Sequence, residues 1–207
     1  MDRMLGVPLL PLFPLELVLF PGVPLPLHIF EPRYQEMIGE CLRDKNEFGI
    51  VRASDKGVAG IGCTAAILDV AKRYDDGRMD ILTEGRRRFE ISGLNEDRAF
   101  LRGDITYFDD DPSEASVAAA QHAIRLYLDL LALADVEAEN PPAPGPQLSF
   151  LITAGLPLEL DFKQTLLETR SEAARIGEIV TYYEALVPRL RRALTTRKKA
   201  GGNGHAV

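Results

Sequence analysis

An apolar segment interrupted by prolines opens the chain and limits how it can fold. The segment VPLLPLFPLELVLFPGVPLPLHIF runs from Val7 to Phe30, with prolines at 8, 11, 14, 21, 24 and 26 and Glu16 as its one charged residue. Each proline inside a helix would cost roughly 3 kcal/mol, so the segment is predicted to form extended strands and tight turns. The prolines and Glu16 also argue against a membrane span or a secretory signal.

The end of this segment has the pattern of an edge strand. Aliphatic side chains in the range 23–30 alternate with Pro24, Pro26 and His28, which places the two missing N–H donors on the same side of the strand. A free edge beside an apolar face could accept an extended peptide. Alternatively, the prolines only protect the edge from aggregation.

Composition and charge narrow the class of protein. The 207 residues are 46% hydrophobic and 27% charged, as in soluble globular proteins. Cys41 and Cys63 lack the spacing of a metal site and are expected to be buried, reduced thiols of a cytoplasmic protein. The net charge is −7 although residues 189–199 carry six cations and no acid. The acidic remainder argues against nucleic acid as a partner, and only the basic helix could attract it.

The first half of the chain is predicted to be rich in β-strands. Glu31-Pro32 begins a helix, and the residues FGIV at 48–51 form a buried strand. Strand patterns then fill 61–108, with a hairpin at Asp76-Gly77 and a bulge or bend at Gly85. The expected product is a small β-barrel with one inserted helix.

The second half is predicted to be helical. One helix is expected to start at Asp111 through an acidic cap, and two short helices cover 148–154 and 163–168. A capping box of Thr169 and Glu172 is expected to open the longest helix. The predicted divisions are a barrel subdomain at 1–110, a helical subdomain at 111–199 and a disordered tail at 200–207.

No constellation of catalytic residues is found. The sequence has neither a GxxxxGK[ST] phosphate loop nor a GxSxG nucleophile elbow. Its three histidines stand where structural or solvated roles are commoner. Asp109–Asp111 favours helix capping over metal binding, and Arg86–Arg88 favours a solvated face over an anion site. We predict no catalytic residue, no cofactor and no metal ion.

Several blocks of sequence resemble the N-terminal, substrate-binding LON domain of Lon proteases. They are LPLFPLELVLFPGVPLPLHIFEPRYQEMI at 9–38, FGIV at 48–51, GIGCTAAI at 60–67, DGRMDILTEGRRRFEI at 76–91 and KQTLLE at 163–168. The first block is the most specific, because ordinary core strands do not need its combination of prolines, glycine and aromatic residues. The later blocks are weaker but follow the order of the family.

The resemblance implies an α+β fold and a recognition role. The family's fold is an open, PUA-like β-barrel followed by a helical bundle that ends in a long helix. In Lon proteases this domain helps to recognise unfolded or tagged polypeptides, while separate ATPase and Ser-Lys peptidase modules act on them. The chain stops at Val207, where the ATPase would follow. The resemblance therefore implies recognition without proteolysis, as in free-standing LON-domain proteins.

The leading hypothesis is a non-enzymatic module that binds polypeptides and has no membrane partner. The contacts would come from the opening segment or from the junction between the two halves, and a separate protease or chaperone is a further expected partner. The expected peptide-binding residues are Leu19, Phe20, Pro24, Pro26, Phe30 and Tyr34. The alternative is RNA binding through the barrel and the basic C-terminal helix; its support is the fold analogy and the basic tail, and fold alone does not give function.

Overall fold

Strands dominate the first part of the structure and helices the second. A computed structural model describes residues 9–112, 114–138 and 140–202, with side chains through residue 196. Val7, Pro8 and the end of the predicted tail, 203–207, lie outside these residues. The described part contains a six-stranded sheet and five helices, the last of them long, which confirms the predicted α+β class.

The elements follow one another with little intervening chain. The strands are β1 (Leu10–Leu15), β2 (Pro24–Ile29), β3 (Phe48–Ser54), β4 (Gly57–Arg73), β5 (Met79–Asn95) and β6 (Arg102–Phe108). The helices are α1 (Pro32–Asp44), α2 (Val117–Leu133), α3 (Leu148–Ala154), α4 (Leu160–Glu168) and α5 (Glu172–Gly202). None of the described helices offers an apolar stretch that could cross a bilayer.

The sheet closes on itself and leaves β2 outside the ring. Its order is β2-β5-β4-β3-β1-β6, and a further pairing joins β5 to β6. The long strand β5 pairs with β2 over residues 79–84 and with β6 over residues 88–95. Five strands therefore enclose the barrel, where Leu12, Val51 and Phe89 are fully buried. Strand β2 remains as an attached edge strand, as its prolines predict.

A close backbone crossing at Gly85 positions β2. The turn after Phe20 uses Gly22 with a φ of 72°, and the Gly22 N–H donates to the Gly85 carbonyl at 2.8 Å. The Gly85 N–H in turn donates to the Val23 carbonyl at 3.0 Å. A side-chain carbon on Gly85 would overlap the backbone oxygen of Phe20. Glycine is therefore required here by space.

The bulge predicted at Gly85 is confirmed. It also corrects the prediction that the three arginines after it form a solvated face. The register between β4 and β5 shifts where Cys63 pairs with Arg88 and Ala65 pairs with Gly85. Because the bulge breaks strict alternation, Arg86 and Arg87 are both exposed. Arg88 is only 4% exposed and donates to the Leu167 carbonyl at 2.9 Å. The expectation of a solvated face was wrong for Arg88.

The chain divides into two compact units whose boundary differs from the predicted one. The first contains the residues up to Asp109 together with Thr153–Glu168, and the second contains Asp110–Ile152 and the residues from Thr169 onward. Helix α4 thus groups with the strands. Polar contacts explain this, because Gln164 donates to the Ile61 carbonyl at 3.1 Å and Asp161 pairs with Arg52 at 2.6 Å.

The helix starts of the second unit are not where the sequence placed them. Helix α2 begins at Val117, and the Ser116 side chain caps it by accepting from the Ala119 N–H at 3.2 Å. The predicted start at Asp111 was wrong by one and a half turns. Helix α5 reaches Gly202, so residues 200–202 are helical although they were expected to belong to a disordered tail.

A buried arginine takes the acids that were expected to act as helix caps. Arg175 is fully buried and binds both carboxylate oxygens of Asp110 and one of Glu172. Glu172 also accepts from the Ser149 N–H at 2.9 Å. Helix α5 begins at Glu172, and the residue before it, Ser171, not Thr169, caps the helix by accepting from the Ala174 N–H at 3.2 Å. The predicted roles of Asp110 and Glu172 were wrong, because a buried guanidinium needs carboxylate partners.

The crossing at Gly85 yields a test of what holds β2 on the barrel. We expect Gly85→Ala to lower the free energy of unfolding by about 2–3 kcal/mol, because the new methyl group overlaps the backbone oxygen of Phe20, which cannot move away as a flexible side chain could. Urea denaturation followed by circular dichroism measures the change. The control is Gly60→Ala, whose added carbon meets nothing within 4 Å, and which should stay within about 0.5 kcal/mol of wild type.

Candidate binding face

The free edge of β2 carries fewer hydrogen-bond donors than an ordinary strand edge. Leu25, Leu27 and Ile29 lie opposite Thr83, Ile81 and Met79 of β5. Proline has no N–H, so the hydrogen bonds to β5 come from these aliphatic residues. The backbone groups of Pro24, Pro26 and His28 therefore point away from β5. In the part of the chain that the structure describes, no other strand pairs with this edge.

The side chains on one side of β2 form an exposed, largely apolar surface. Leu82 of β5 is the cross-strand partner of Pro26 and is 38% exposed, and Leu68 lies in the β4 bulge opposite Leu82. Phe30 follows the strand and is 60% exposed, the second-highest value among the large exposed hydrophobic residues. We call this surface the outer face; its residues are Pro24, Pro26, His28, Phe30, Leu68 and Leu82.

Phe30 is held in place at one end of the outer face. Its ring stacks on His28, with ring centroids 6.0 Å apart and planes 20° from parallel. Its carbonyl accepts from the Gln35 side chain at 2.9 Å. The next residue, Glu31, is the N-cap position of α1, with Pro32 in the first turn as predicted. An exposed aromatic ring is thus fixed at the junction of strand and helix before any ligand arrives.

A polar cluster ties the same end of β2 to β5. His28 Nδ1 donates to Asp80 Oδ1 at 2.5 Å, and the Tyr74 hydroxyl donates to Asp80 Oδ2 at 2.9 Å. The hydrogen bond from His28, followed by that from Tyr74, lowers the pKa of the Asp80 carboxyl. Asp80 therefore stays ionised at neutral pH and orients the histidine on which Phe30 stacks.

Two of the acids around the outer face are paired with arginines. Glu84 pairs with Arg86 at 2.8 Å, Glu31 pairs with Arg33 at 2.7 Å, and His28 donates to Asp80. Paired surface charges of this kind are worth little in stability. Each of the two arginine pairs weakens the field of its own acid, while the whole chain carries a net charge of −7.

Three of the six predicted contact residues are buried, which corrects the predicted site. Leu19 is 3% exposed, Phe20 1% and Tyr34 6%. Leu19 and Phe20 lead into the turn that crosses Gly85, and the Tyr34 ring packs against Phe13 with centroids 4.0 Å apart. These side chains build the barrel and cannot reach a ligand in this conformation.

The other three predicted residues lie together on the outer face. Pro24, Pro26 and Phe30 are exposed, and they belong to one strand and the residue after its end. Sequence reasoning missed Leu68 and Leu82. The alternating pattern of residues 79–84 would have put Leu82 on the opposite face from Ile81, but only the register with β2 brings it beside Pro26.

Other groups that could take part in catalysis or metal binding, among them two acids, a histidine and two cysteines, are paired or buried. A cleft of about 480 Å³ in the second unit contains Asp110 and Glu172, and both acids are bound to Arg175. His122 pairs with Glu184 at 2.8 Å. His205 lies outside the described residues. Burial raises the pKa of Cys41 to about 11 and that of Cys63 to about 12, so both cysteines are neutral thiols.

The basic helix offers less free charge than its sequence suggests. In the described part, Arg191 pairs with Asp129 at 2.8 Å, while Arg189 and Arg192 are exposed. The side chains of residues 197–199, which include three of the six cations, lie outside the description. RNA binding by this helix stays a prediction.

The structure combines a barrel closed by five strands with one exposed edge strand, and comparison with known proteins identifies the family. Residues 9–183 match the family model described as the ATP-dependent protease La (LON) substrate-binding domain. This match covers most of the 207 residues. The chain belongs to the LON substrate-binding domain family.

Relatives and solved structures agree with this assignment. The chain is 32% identical over 111 residues to Lon protease from Parabacteroides distasonis, covering 50% of this chain and 13% of the relative. It is 27% identical over 188 residues to Lon protease 1 from Hydrogenovibrio crunogenus, covering 82% and 23% respectively. The chain thus spans less than a quarter of the length of either curated relative.

Two solved structures share the fold. The crystal structure of the Lon N-terminal domain protein from Xanthomonas campestris has a TM-score of 0.70 and 25% identity, covering 85% of this chain and 99% of that one. The N-terminal domain of Mycobacterium avium complex Lon protease has a TM-score of 0.68 at 18% identity, covering 86% of this chain and 98% of that one, and supports the fold alone.

The different burial of two phenylalanines gives a stability test of the corrected site. Phe20→Ala should lower the free energy of unfolding by about 3–5 kcal/mol, because it leaves a cavity in the barrel. Phe30→Ala should change it by no more than about 0.5 kcal/mol, since the ring is already in solvent. Urea denaturation compares the two, and equal losses would contradict the assignment.

The Asp80 cluster predicts a pH-dependent contribution to stability. A carboxyl whose pKa is lower in the folded chain stabilises the fold above its unfolded pKa, and this stabilisation is lost as pH falls through the folded value. Asp80→Asn should therefore lower the urea midpoint at pH 7, and the gap to wild type should close as the pH falls below the unfolded value of about 4 and through the lower folded value. Asp104→Asn, which removes an exposed carboxylate on β6, is the control. A gap independent of pH would contradict the prediction.

Proposed function

We propose that this protein binds polypeptides without catalysing a reaction, and that the outer face is its contact surface. The observation that carries the proposal is the exposed, pre-positioned Phe30 beside Pro24, Pro26 and Leu82 on an edge strand. Membership of a substrate-binding domain family supports the role, because the matched region is the recognition part of the relatives. The ligands would be unfolded or tagged polypeptides, delivered to a separate protease or chaperone.

The local charge balance favours apolar contact over electrostatic capture. The ion pairs of Glu31 and Glu84 with arginines weaken the field that would attract a charged ligand to the outer face. An aromatic ring that gains full burial contributes about 1.5–3 kcal/mol, enough for a central contact in a small interface. Binding on this face should therefore depend on side-chain burial and be nearly independent of salt.

A titration with an uncharged peptide tests the proposal. The probe is an end-blocked peptide that alternates leucine and phenylalanine with serine, followed by isothermal titration calorimetry. Phe30→Ser should weaken binding by about 10- to 100-fold through the lost apolar burial. Raising the salt concentration from about 50 to 500 mM should leave the affinity of the wild type nearly unchanged.

A matched variant separates this face from general stickiness. Leu94→Ser removes a side chain that is 50% exposed at the other end of β5, and it should bind like wild type. Failure of the folded wild type to bind the peptide, or equal losses in the two variants, would overturn the proposal. Salt-sensitive retention of RNA that is lost on removing residues 189–207 would support the alternative.

A further inference from the structure

We propose that the outer face reads side chains and rejects strand addition, so that the bound segment keeps its own backbone hydrogen-bonded to water. This inference rests on the proposed function and specifies how the ligand is held. It follows from the direction of the backbone groups on β2, which the pairing with β5 fixes. The ligand class is an uncharged, extended segment whose apolar side chains lie across β2 and β5.

The outward edge of β2 cannot supply a complete hydrogen-bond ladder. An added strand would need both the N–H and the carbonyl of each outward residue. His28 offers both groups, whereas Pro24 and Pro26 offer only carbonyls. Two carbonyls of an incoming strand would face proline rings and lose their water without gaining a donor, which is unfavourable.

The side chains of the same residues remain available. Pro24, Pro26, His28 and Phe30 are all exposed, and Leu82 extends the apolar surface onto the neighbouring strand. The prolines therefore act as in the second alternative left open by the sequence, and they also contribute side chains to the face. They protect the edge from strand pairing, and their rings form part of the surface that a ligand covers.

The charge pattern fits an uncharged occupant. Glu84, the residue opposite Pro24 on β5, is paired with Arg86, and Asp80, the residue opposite His28, accepts hydrogen bonds from His28 and Tyr74. A ligand carrying its own charge would have to break one of these pairs or leave its charge unmatched. An uncharged apolar segment meets neither obstacle.

N-methylated peptides distinguish strand addition from binding through side chains alone. In a strand added antiparallel to β2, residues whose side chains cover the outer face also direct their N–H groups toward β2, whereas in a parallel strand the intervening residues do so. One twin of the leucine, phenylalanine and serine probe carries N-methyl groups on the leucines and phenylalanines, and the control twin carries them on the serines. Strand addition predicts a loss of about tenfold per blocked hydrogen bond for one twin only, the first for an antiparallel strand and the second for a parallel one.

We expect the two twins to bind wild type within about threefold of each other. A loss of about tenfold or more for either twin alone would overturn the inference while leaving the proposed function intact. Failure of the unmethylated probe to bind would instead overturn the proposed function, and this inference with it.

The Pro26→Val variant tests whether the missing N–H of Pro26 is what prevents strand addition. The valine restores an N–H on the outward side of β2, so this variant should bind one twin more weakly than the other. Equal binding of the twins by the variant would overturn the role given to Pro26. A wild-type dimer that becomes monomeric on Phe30→Ser would show a second copy covering the face, and would also overturn the inference.

Discussion

The close crossing of the Phe20 backbone over Gly85 is the constraint on which the binding face depends. The crossing is fixed by two backbone hydrogen bonds, Gly22 to Gly85 and Gly85 to Val23, and it is possible only because position 85 has no side chain. From this point β2 runs along the first half of β5, while the second half of β5 is left for β6. One long strand thereby closes the barrel and also carries an additional edge strand.

The two kinds of residue in the opening segment have different tasks because of this geometry. Leu19 and Phe20 enter the crossing and are buried, so they contribute to stability. Beyond the turn, the alternation of β2 directs Pro24, Pro26 and His28 outward, and Phe30 ends the row at the start of α1. Position along one continuous apolar segment therefore separates residues that hold the barrel from residues that a ligand can reach.

The second unit has a different organising centre, a buried guanidinium. Arg175 binds Asp110 and Glu172, and its Nε donates to the Ser149 hydroxyl oxygen at 2.8 Å. Its guanidinium lies over the Phe150 ring, 4.3 Å from the ring centroid. A buried arginine must collect acceptors from wherever the chain can supply them. This demand overrides the local rule by which an acid near a helix start is expected to act as a cap.

The sequence by itself determined the strand character of the opening segment, the edge position of β2, the hairpin at Asp76-Gly77 and the helix after Glu31. These features are local, because prolines, glycines and alternating side chains restrict the conformation of their own stretch of backbone. The distinctive first block was also enough to indicate the family. Only the tertiary structure decided that Leu19, Phe20 and Tyr34 are buried, that Arg88 lies inside, and that Leu82 joins Pro26 on the outer face. Those outcomes depend on a bulge, a crossing and a register between residues more than fifty positions apart, and a local pattern does not encode such distances.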